Sequence, residues 1–452
     1  MKKIYSSFAL LALLGTSAQA FDYKVGGSVE FFSKVGFNQK QIDVANSIYP
    51  TDTWGSIVGS AYIDMDFLTQ EQKDLGNSLT GGFGIMAGGL VFDNTKDASG
   101  NPNYKTAFFG SANGVGNSVV AQEYITTNFV IYNAYLDYVK KTNDHRVEIK
   151  VGRYNSKAQF MSGSTQGFEI DYQYKGLNLW WFSSYGRGFG YSQWMYDFYA
   201  PKQHGNANYG IHAFKPSYTF DSGFYISPFV YFSPDFYVAP MLELGFDSNP
   251  NFNQEGFRSQ TTIFFMAPYH LENAQNDYRY QFVAGKNGQT LAIKQRFDYN
   301  NFNFGAGWYQ NFGNANAHIG TYGNAMVGPW DFWTNTVYDF GALSNAVTKD
   351  AKTGYIFVGA SHGKFSWDIL GRMTFSTRGD EQAIPLNLTY NFTQNCKIWL
   401  KLEWQNVTLH KGYVINDGTS INPDDTKWQS YQTKKSVSSD RSHAMINISY
   451  SF

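Results

Sequence analysis

The sequence predicts an all-β protein: one closed transmembrane antiparallel β-barrel of about eighteen strands. Three observations predict it. The N-terminus reads as an export signal, apolar and polar residues alternate in segment after segment, and the final alternating segment runs to Phe452.

Lys2 and Lys3 form a positive n-region, residues 8–14 (FALLALL) an apolar h-region, and Ala18-Gln19-Ala20 a small-residue cleavage site. The apolar run is too short to cross a bilayer as a helix. The one cysteine, Cys396, is far from the cleavage site, so the signal is not of the lipoprotein kind. Residues 1–20 are therefore expected to be a signal peptide and 21–452 a single barrel domain.

Composition fits such a wall. The chain has no apolar run of helix-spanning length and its mean hydropathy is −0.38. Yet 18% of residues are aromatic and only 16% charged, with 44 glycines, where a soluble domain carries about a quarter charged residues. A secreted soluble β-protein can share these traits, so the order of residues has to decide. The net charge of −1 and the absence of any basic block argue against nucleic acid as a partner. A lone cysteine makes no internal disulfide, and a closed ladder of hydrogen bonds needs none.

A strand between lipid and water must alternate, because successive side chains point to opposite faces. Tyr23, Val25, Val29, Phe31, Val35 and Phe37 share one parity, against Lys24, Ser28, Glu30 and Lys34. The pattern recurs with Ile57, Ala61, Ile63, Met65 and Phe67 against Ser56, Ser60, Asp64 and Asp66. Phe365, Trp367, Ile369 and Met373 oppose Ser366, Asp368, Arg372 and Thr374; Ile398, Leu400, Leu402 and Trp404 oppose Lys397, Lys401, Glu403 and Gln405. Repetition distinguishes this from the occasional half-buried strand of a soluble protein. Strands are expected at 23–37, 55–67, 79–91, 129–139, 145–154, 167–174, 177–185, 209–220, 224–233, 236–246, 257–267, 290–299, 302–311, 353–362, 365–375, 383–392, 397–406 and 441–452. Segments 278–284 and 326–338 are candidates for more, which gives a range of about sixteen to twenty.

Connectors alternate in length. Turns at 140–144, 175–176, 221–223, 300–301, 363–364 and 393–396 are short and carry Gly, Asn and Asp, whereas 38–54, 92–128, 186–208, 268–289, 312–352 and 407–440 are long. Short periplasmic turns and long outer loops are the usual asymmetry of these barrels. Pro234-Asp235, 68–78 and 247–256 depart from it. Tyr174, Phe220, Phe224, Tyr299, Phe302, Phe365 and Phe392 flank the short turns, as an interfacial aromatic girdle would.

The final strand places Ala444, Ile446, Ile448, Tyr450 and Phe452 on one face. A closing strand of this kind resembles the signal read by the outer-membrane assembly machinery. The chain also resembles the Helicobacter outer-membrane protein (Hof) family, related to the Campylobacter major porin and to OprD-type porins. The residues that carry the resemblance are Ile149-Lys150-Val151-Gly152-Arg153-Tyr154, then Thr165-Gln166-Gly167-Phe168-Glu169-Ile170-Asp171 and Gly176-Leu177. This matches the order of a K-x-G-R strand end, an inward loop, a strand and a tight Gly turn. The resemblance implies eighteen strands, room for a homotrimer, and a pore narrowed by an inward loop. The loop lacks the Pro-rich character of the OprD pattern and no Arg ladder is evident.

Inward-parity charges are the expected chemistry of the lumen: Lys34, Lys150, Arg258, Lys294, Arg296, Arg372, Lys397 and Lys401 against Glu30, Asp64, Asp66, Glu148, Glu169, Asp171, Glu243, Asp368 and Glu403. Singly, each is more simply a residue that hydrates the wall. The expected constriction is the 155–166 segment, where Phe160 and Met161 would be badly placed on a solvated tip. Glu148 and Lys150 precede it on the inward parity, and Glu169 and Asp171 follow. Arg153 has the outward parity and needs a bulge or strand end to reach the lumen.

Catalysis finds little support. The eight histidines form no metal-ligand spacing, and Gly359-Ala360-Ser361-His362-Gly363 spells a nucleophile elbow where a strand-to-strand turn is expected. Gly81-Gly82-Phe83-Gly84 reads as a strand rather than a phosphate loop. Asn416-Asp417-Gly418 and Pro423-Asp424-Asp425 read as solvated turns rather than Ca²⁺ ligands. The expectation is a porin-like channel for ions and small hydrophilic solutes, without cofactor, metal or enzymatic activity. A surface adhesin that binds host ligands through its long loops is the rival.

Overall fold

The computed structural model describes residues 22–41, 50–94, 127–159, 163–199, 208–234, 237–271, 287–313, 345–347, 349–412 and 433–452. Eighteen wall strands follow one another: β1 (Asp22–Gly36), β2 (Trp54–Asp66), β3 (Asn77–Asp93), β4 (Phe129–Lys141), β5 (His145–Asn155), β6 (Ser164–Tyr174), β7 (Leu177–Gly190), β8 (Ile211–Thr219), β9 (Phe224–Ser233), β10 (Tyr237–Asp247), β11 (Phe257–Met266), β12 (Gly288–Tyr299), β13 (Phe302–Gly313), β14 (Lys352–His362), β15 (Phe365–Phe375), β16 (Gly379–Asn391), β17 (Cys396–Leu409) and β18 (His443–Ser451). Each is antiparallel to the next, and β18 returns to β1 in a register running from Ser28↔Ser451 to Gly36↔His443. The ladder therefore closes, and each expected strand has its counterpart. Segments 278–284 and 326–338, and Asp417, Asp424 and Asp425, lie outside the described residues. Among the described residues no helix is long and apolar enough to cross a membrane.

The two faces separate as the alternation requires. Val25, Val29, Ile57, Phe83, Leu136, Ile149, Ile170, Ile293, Ile356, Met373 and Trp404 stand exposed on the outer face, where lipid replaces water. Their inward neighbours include Phe32, Glu148, Glu169, Arg372 and Lys401, all buried inside the barrel. At the short-turn end Phe220, Phe224, Tyr299, Phe302, Phe365 and Phe392 are exposed on the outer rim, with Tyr450 and Phe452 beside them in the girdle.

Three of the two-residue turns open with a residue of positive φ: Lys175 at 49°, Asn300 at 49° and Gly363 at 58°. The twist of the flanking strands demands this hand, and at Lys175 a residue with a Cβ supplies it. Gly359–Gly363 runs into the β14–β15 turn and Gly81–Gly84 lies within β3, as their neighbours predicted. The long 67–76 connector holds one helical turn, α1 (Gln70–Asp74), closed by a Thr69–Gln72 capping box and pinned by Lys73 to Asp66 at 2.8 Å. A short helix thus accounts for one departure from the turn-length pattern.

Three further short strands, Met195–Tyr199, Tyr269–His270 and Val437–Asp440, pair with the outer ends of β7, β10 and β17. β7 runs to Gly190, past the expected 185, because it stays paired with β6 as far as Gly188 after it parts from β8. Its pairing with β8 ends at Ser184↔Ile211, and beyond that point it pairs with Met195–Tyr199 instead.

Candidate functional site

The site is the lumen, and three segments fold into it. The first follows β5. Ser156 Oγ donates to Glu169, Lys157 Nζ donates to Glu148 Oε2 at 2.9 Å, and Ala158 is buried against the inner wall. Gln159 Nε2 donates to Glu243 Oε2 at 2.9 Å, its Oε1 accepts from Lys215 Nζ at 2.8 Å, and its carbonyl accepts from the Tyr231 hydroxyl at 2.6 Å. These partners sit on β5, β6, β8, β9 and β10, all on the inward parity, so residues 156–159 lie along the inner wall across six adjacent strands. Charge drives the choice: inward carboxylates facing a dry segment would be costly alone, and the segment brings two donors and a cation to them.

The second segment is the β7 hairpin. Its tip closes through Tyr191 N to Trp194 O at 3.0 Å. The Ser192 carbonyl accepts from Ser56 Oγ on β2, and Asn447 Nδ2 on β18 donates to Ser192 Oγ at 2.8 Å. Met195 is fully buried with Phe32, Trp54, Val58, Met86, Val130 and Met445, whose side chains come from β1 to β4 and β18; Trp194 and Phe198 pack on the cluster. A hairpin rooted on β7 thus reaches β1 to β4 and β18, strands with which β7 itself shares no ladder. From sequence this stretch was only part of the long outer connector 186–208; the run Trp194-Met195-Tyr196-Asp197-Phe198, apolar for a solvated loop, is the signal that could have marked it.

The third is a 3-10 turn, Asn345–Val347, within the long β13–β14 connection. Asn345 N donates to Glu381 Oε2 at 2.8 Å, Arg378 Nη1 donates to Asn345 Oδ1 at 2.7 Å, and Asn311 Nδ2 donates to the Ala346 carbonyl at 3.0 Å. Composition around it gave no comparable signal.

The expected site residues fall into different groups. Glu148, Lys150 and Glu169 meet at the first segment: Lys150 and Glu169 are register partners, and Lys150 pairs with Asp137 at 3.5 Å while lying 4.4 Å from the Tyr135 ring centroid. Asp171 is nearer the short-turn end, held by Gln173, Asn178 and Arg146 rather than by the segment. Phe160 and Met161 lie outside the described residues. Arg153, near the end of β5, meets the infolded hairpin rather than Glu148: its guanidinium is 4.1 Å from the Phe198 ring centroid and donates to Gln166 and the Ile131 carbonyl. It stands apart from the other three.

Arg296 lies with Asp298 at 2.6 Å on β12, near the Arg258–Asp247 pair, and Lys294 is two residues along the same inner face. Arg372 corrects its expectation as an open pore-lining group. Its side chain is fully buried between Glu381 on β16 and Glu403 on β17, the latter 3.8 Å away. Glu403 also meets Lys401 at 2.6 Å and His443 at 3.5 Å, and Gln405 Nε2 donates to Glu381 Oε1 at 3.1 Å. Parity put Arg372 on the correct face, but neighbouring strands offer it carboxylates at the same height, and ion pairs form where water is excluded. Lys215, Gln159, Tyr231 and Glu381 were not singled out from sequence, because each matters only through a partner on another strand. Among the described residues no cluster of three or more metal-binding side chains occurs.

The architecture has close parallels in fold. A family model described as "Putative outer membrane protein" matches residues 8–452. No curated protein matches the sequence. The solved structure of OccAB4 from Acinetobacter baumannii superposes with a TM-score of 0.60 at 10% identity, covering 96% of this chain and 98% of that one. The outer membrane protein opdK from Pseudomonas aeruginosa gives 0.57 at 10% identity, covering 95% and 99%. OccK9 (OpdG) from Pseudomonas aeruginosa gives 0.60 at 10% identity, covering 95% and 98%. Identity this low speaks for shared architecture and no more. With the family model running almost end to end over a closed barrel with an aromatic girdle, the chain belongs to this family of outer-membrane proteins and resides in the outer membrane.

Proposed function

We propose that the protein is a porin-like channel for passive diffusion of ions and small hydrophilic solutes. What supports this is the closed eighteen-strand wall, a strand number that encloses an aqueous path, with charges on its inner face and segments folded against it. The Hof-type resemblance, an assembly signal in β18 and a homotrimer belong to the same reading. Glu148, Lys150 and Glu169 are its constriction charges, with Phe160 and Met161 on the same loop; Asp171, Lys294 and Arg296 line the bore nearer the short-turn end.

Reconstitution into planar bilayers tests it. Stepwise single-channel currents are expected, and a silent barrel that binds host cells or glycans would favour the adhesin. Charge reversal separates the positions: Glu169→Lys, at the infolded segment, is expected to shift the ion-selectivity reversal potential more than Asp171→Lys. Both should exceed the double reversal of Asp424 and Asp425. Equal shifts from all three would reject the constriction.

A further inference from the structure

The outer wall carries an apolar groove across β13 to β17, about 690 Å³ in volume. Trp308 and Trp404 bound it on either side, each with its side chain exposed on the lipid face, and Ile356 rises from its floor at 68% exposure. Gly354 and Gly371 make the floor. Gly354 is the register partner of Trp308 on one side and of Met373 on the other, and Gly371 is the partner of Ile356.

The fold itself does not require these two glycines. Neither has positive φ. A Cβ at Gly354 would have nothing nearer than Trp308 at 3.5 Å, and one at Gly371 nothing nearer than Ile356 at 3.9 Å, both ordinary contacts or looser. At Gly245 or Gly305, by contrast, a Cβ would collide with a ring or a carbonyl. Glycine inside a strand weakens it, and where no bulge or internal contact demands it, close approach of another molecule is the remaining use. The ladder is also loosened here. Pro385 has no N–H, and the β15–β16 pairing steps from Ile369↔Leu386 to Arg372↔Ala383 without Leu370 or Gly371.

The groove opens toward the long-loop end at Lys352, which is exposed and has no ion pair or side-chain hydrogen bond among the described residues. Lys349, also exposed, stands above the same strands, its carbonyl accepting from Thr377 at 3.2 Å. Asp350, between them, is occupied by the Gly313 N–H. A dry trough descending into the membrane beneath two cations at the interface is complementary to one class of molecule.

We infer that this groove seats one acyl chain of an outer-leaflet lipid whose phosphate headgroup is held at Lys352. The cation gives headgroup preference and the glycine floor gives the chain its depth. From Lys352 to Ile356 the trough runs about 13 Å along the strand, a length that suits the upper part of an acyl chain.

Native mass spectrometry of the full-length protein in mild detergent tests this, with dioleoyl phosphatidic acid and dioleoylglycerol as probes. Wild type is expected to hold one phosphatidic acid per barrel about tenfold more tightly than dioleoylglycerol. Gly371→Leu is expected to lose both lipids, and Lys352→Glu only the preference between them. Heat-shifted gel mobility confirms that each variant is folded, and Lys352→Glu, a surface change, carries the test if Gly371→Leu does not fold. Equal binding of both lipids by wild type would overturn the inference, as would undiminished binding by folded Gly371→Leu. A change in the number of barrels per particle in that variant would also overturn it, by assigning the groove to contacts between copies.

Discussion

Excision of residues 190–197 is expected to raise single-channel conductance by about threefold or more, because the bore sets the current and this hairpin crosses it. The segment reaches from β7 to β2 and β18, held at its tip by Ser56 and Asn447 and filled by Trp194 and Met195. The wall beneath it does not depend on the hairpin, since β7 and β8 pair from Leu177 to Ser184 before it departs. The shortened barrel should therefore still close and still run faster in gels unheated than boiled. A gentler change, Asn447→Leu with Ser56→Ala, removes the polar anchors and leaves the apolar contacts. It is expected to add open-channel noise with little change in mean conductance. Unchanged conductance after excision would show that the current runs past the hairpin, through a gap it does not control.

Glu381→Gln is expected to destabilise the barrel by about 3 kcal/mol, the order seen when one member of a buried ion pair is removed. Glu381 serves Arg372, Gln405 Nε2 and the Asn345 N–H at once, and its side chain and that of Arg372 are almost wholly buried. Glutamine keeps the shape and some hydrogen bonding but leaves the guanidinium with less compensation for its lost hydration. The measurement is the temperature at which the folded gel band converts to the unfolded one, which should fall. Arg372→Met combined with Glu381→Leu should recover most of the loss, since well-packed apolar side chains replace a buried pair at little cost. A double variant less stable than Glu381→Gln would show that the charges, rather than their mutual compensation, hold β15 to β17 together. The Asn345–Val347 turn should loosen in both variants, because it is fastened to Glu381, and a change in conductance would report that coupling.

The wall was legible in the sequence almost residue by residue. Each strand faces lipid on one side and the lumen on the other, so the code is local: Val25 and Val29 out, Glu30 and Lys34 in, without reference to the rest of the chain. The same locality placed the turns at Lys175-Gly176 and Asn300-Asn301 and the girdle residues beside them. β16 was expected from 383 and begins at Gly379, since Asp380 and Glu381 look like loop until their partners Thr408 and Val407 are known.

What fills the barrel was decided by tertiary structure. Parity says that Arg372 points inward but not that carboxylates of β16 and β17 await it. It says that Glu243 lines the bore but not that Gln159 joins it to Lys215. An inward course was expected for 155–166 because Phe160 and Met161 would be badly placed on a solvated tip, but nothing local foretold that residues 156–159 would find Glu148, Glu169, Glu243, Lys215 and Tyr231. The crossing of the β7 hairpin was hinted only by Trp194 and Met195, and its destination by nothing local: Ser192 and Asn447 are 255 residues apart. The physical reason is the same throughout. A wall strand answers to the two media on its faces, which its own side chains must match, whereas a segment inside the lumen answers to surfaces that exist only once distant strands have closed around it.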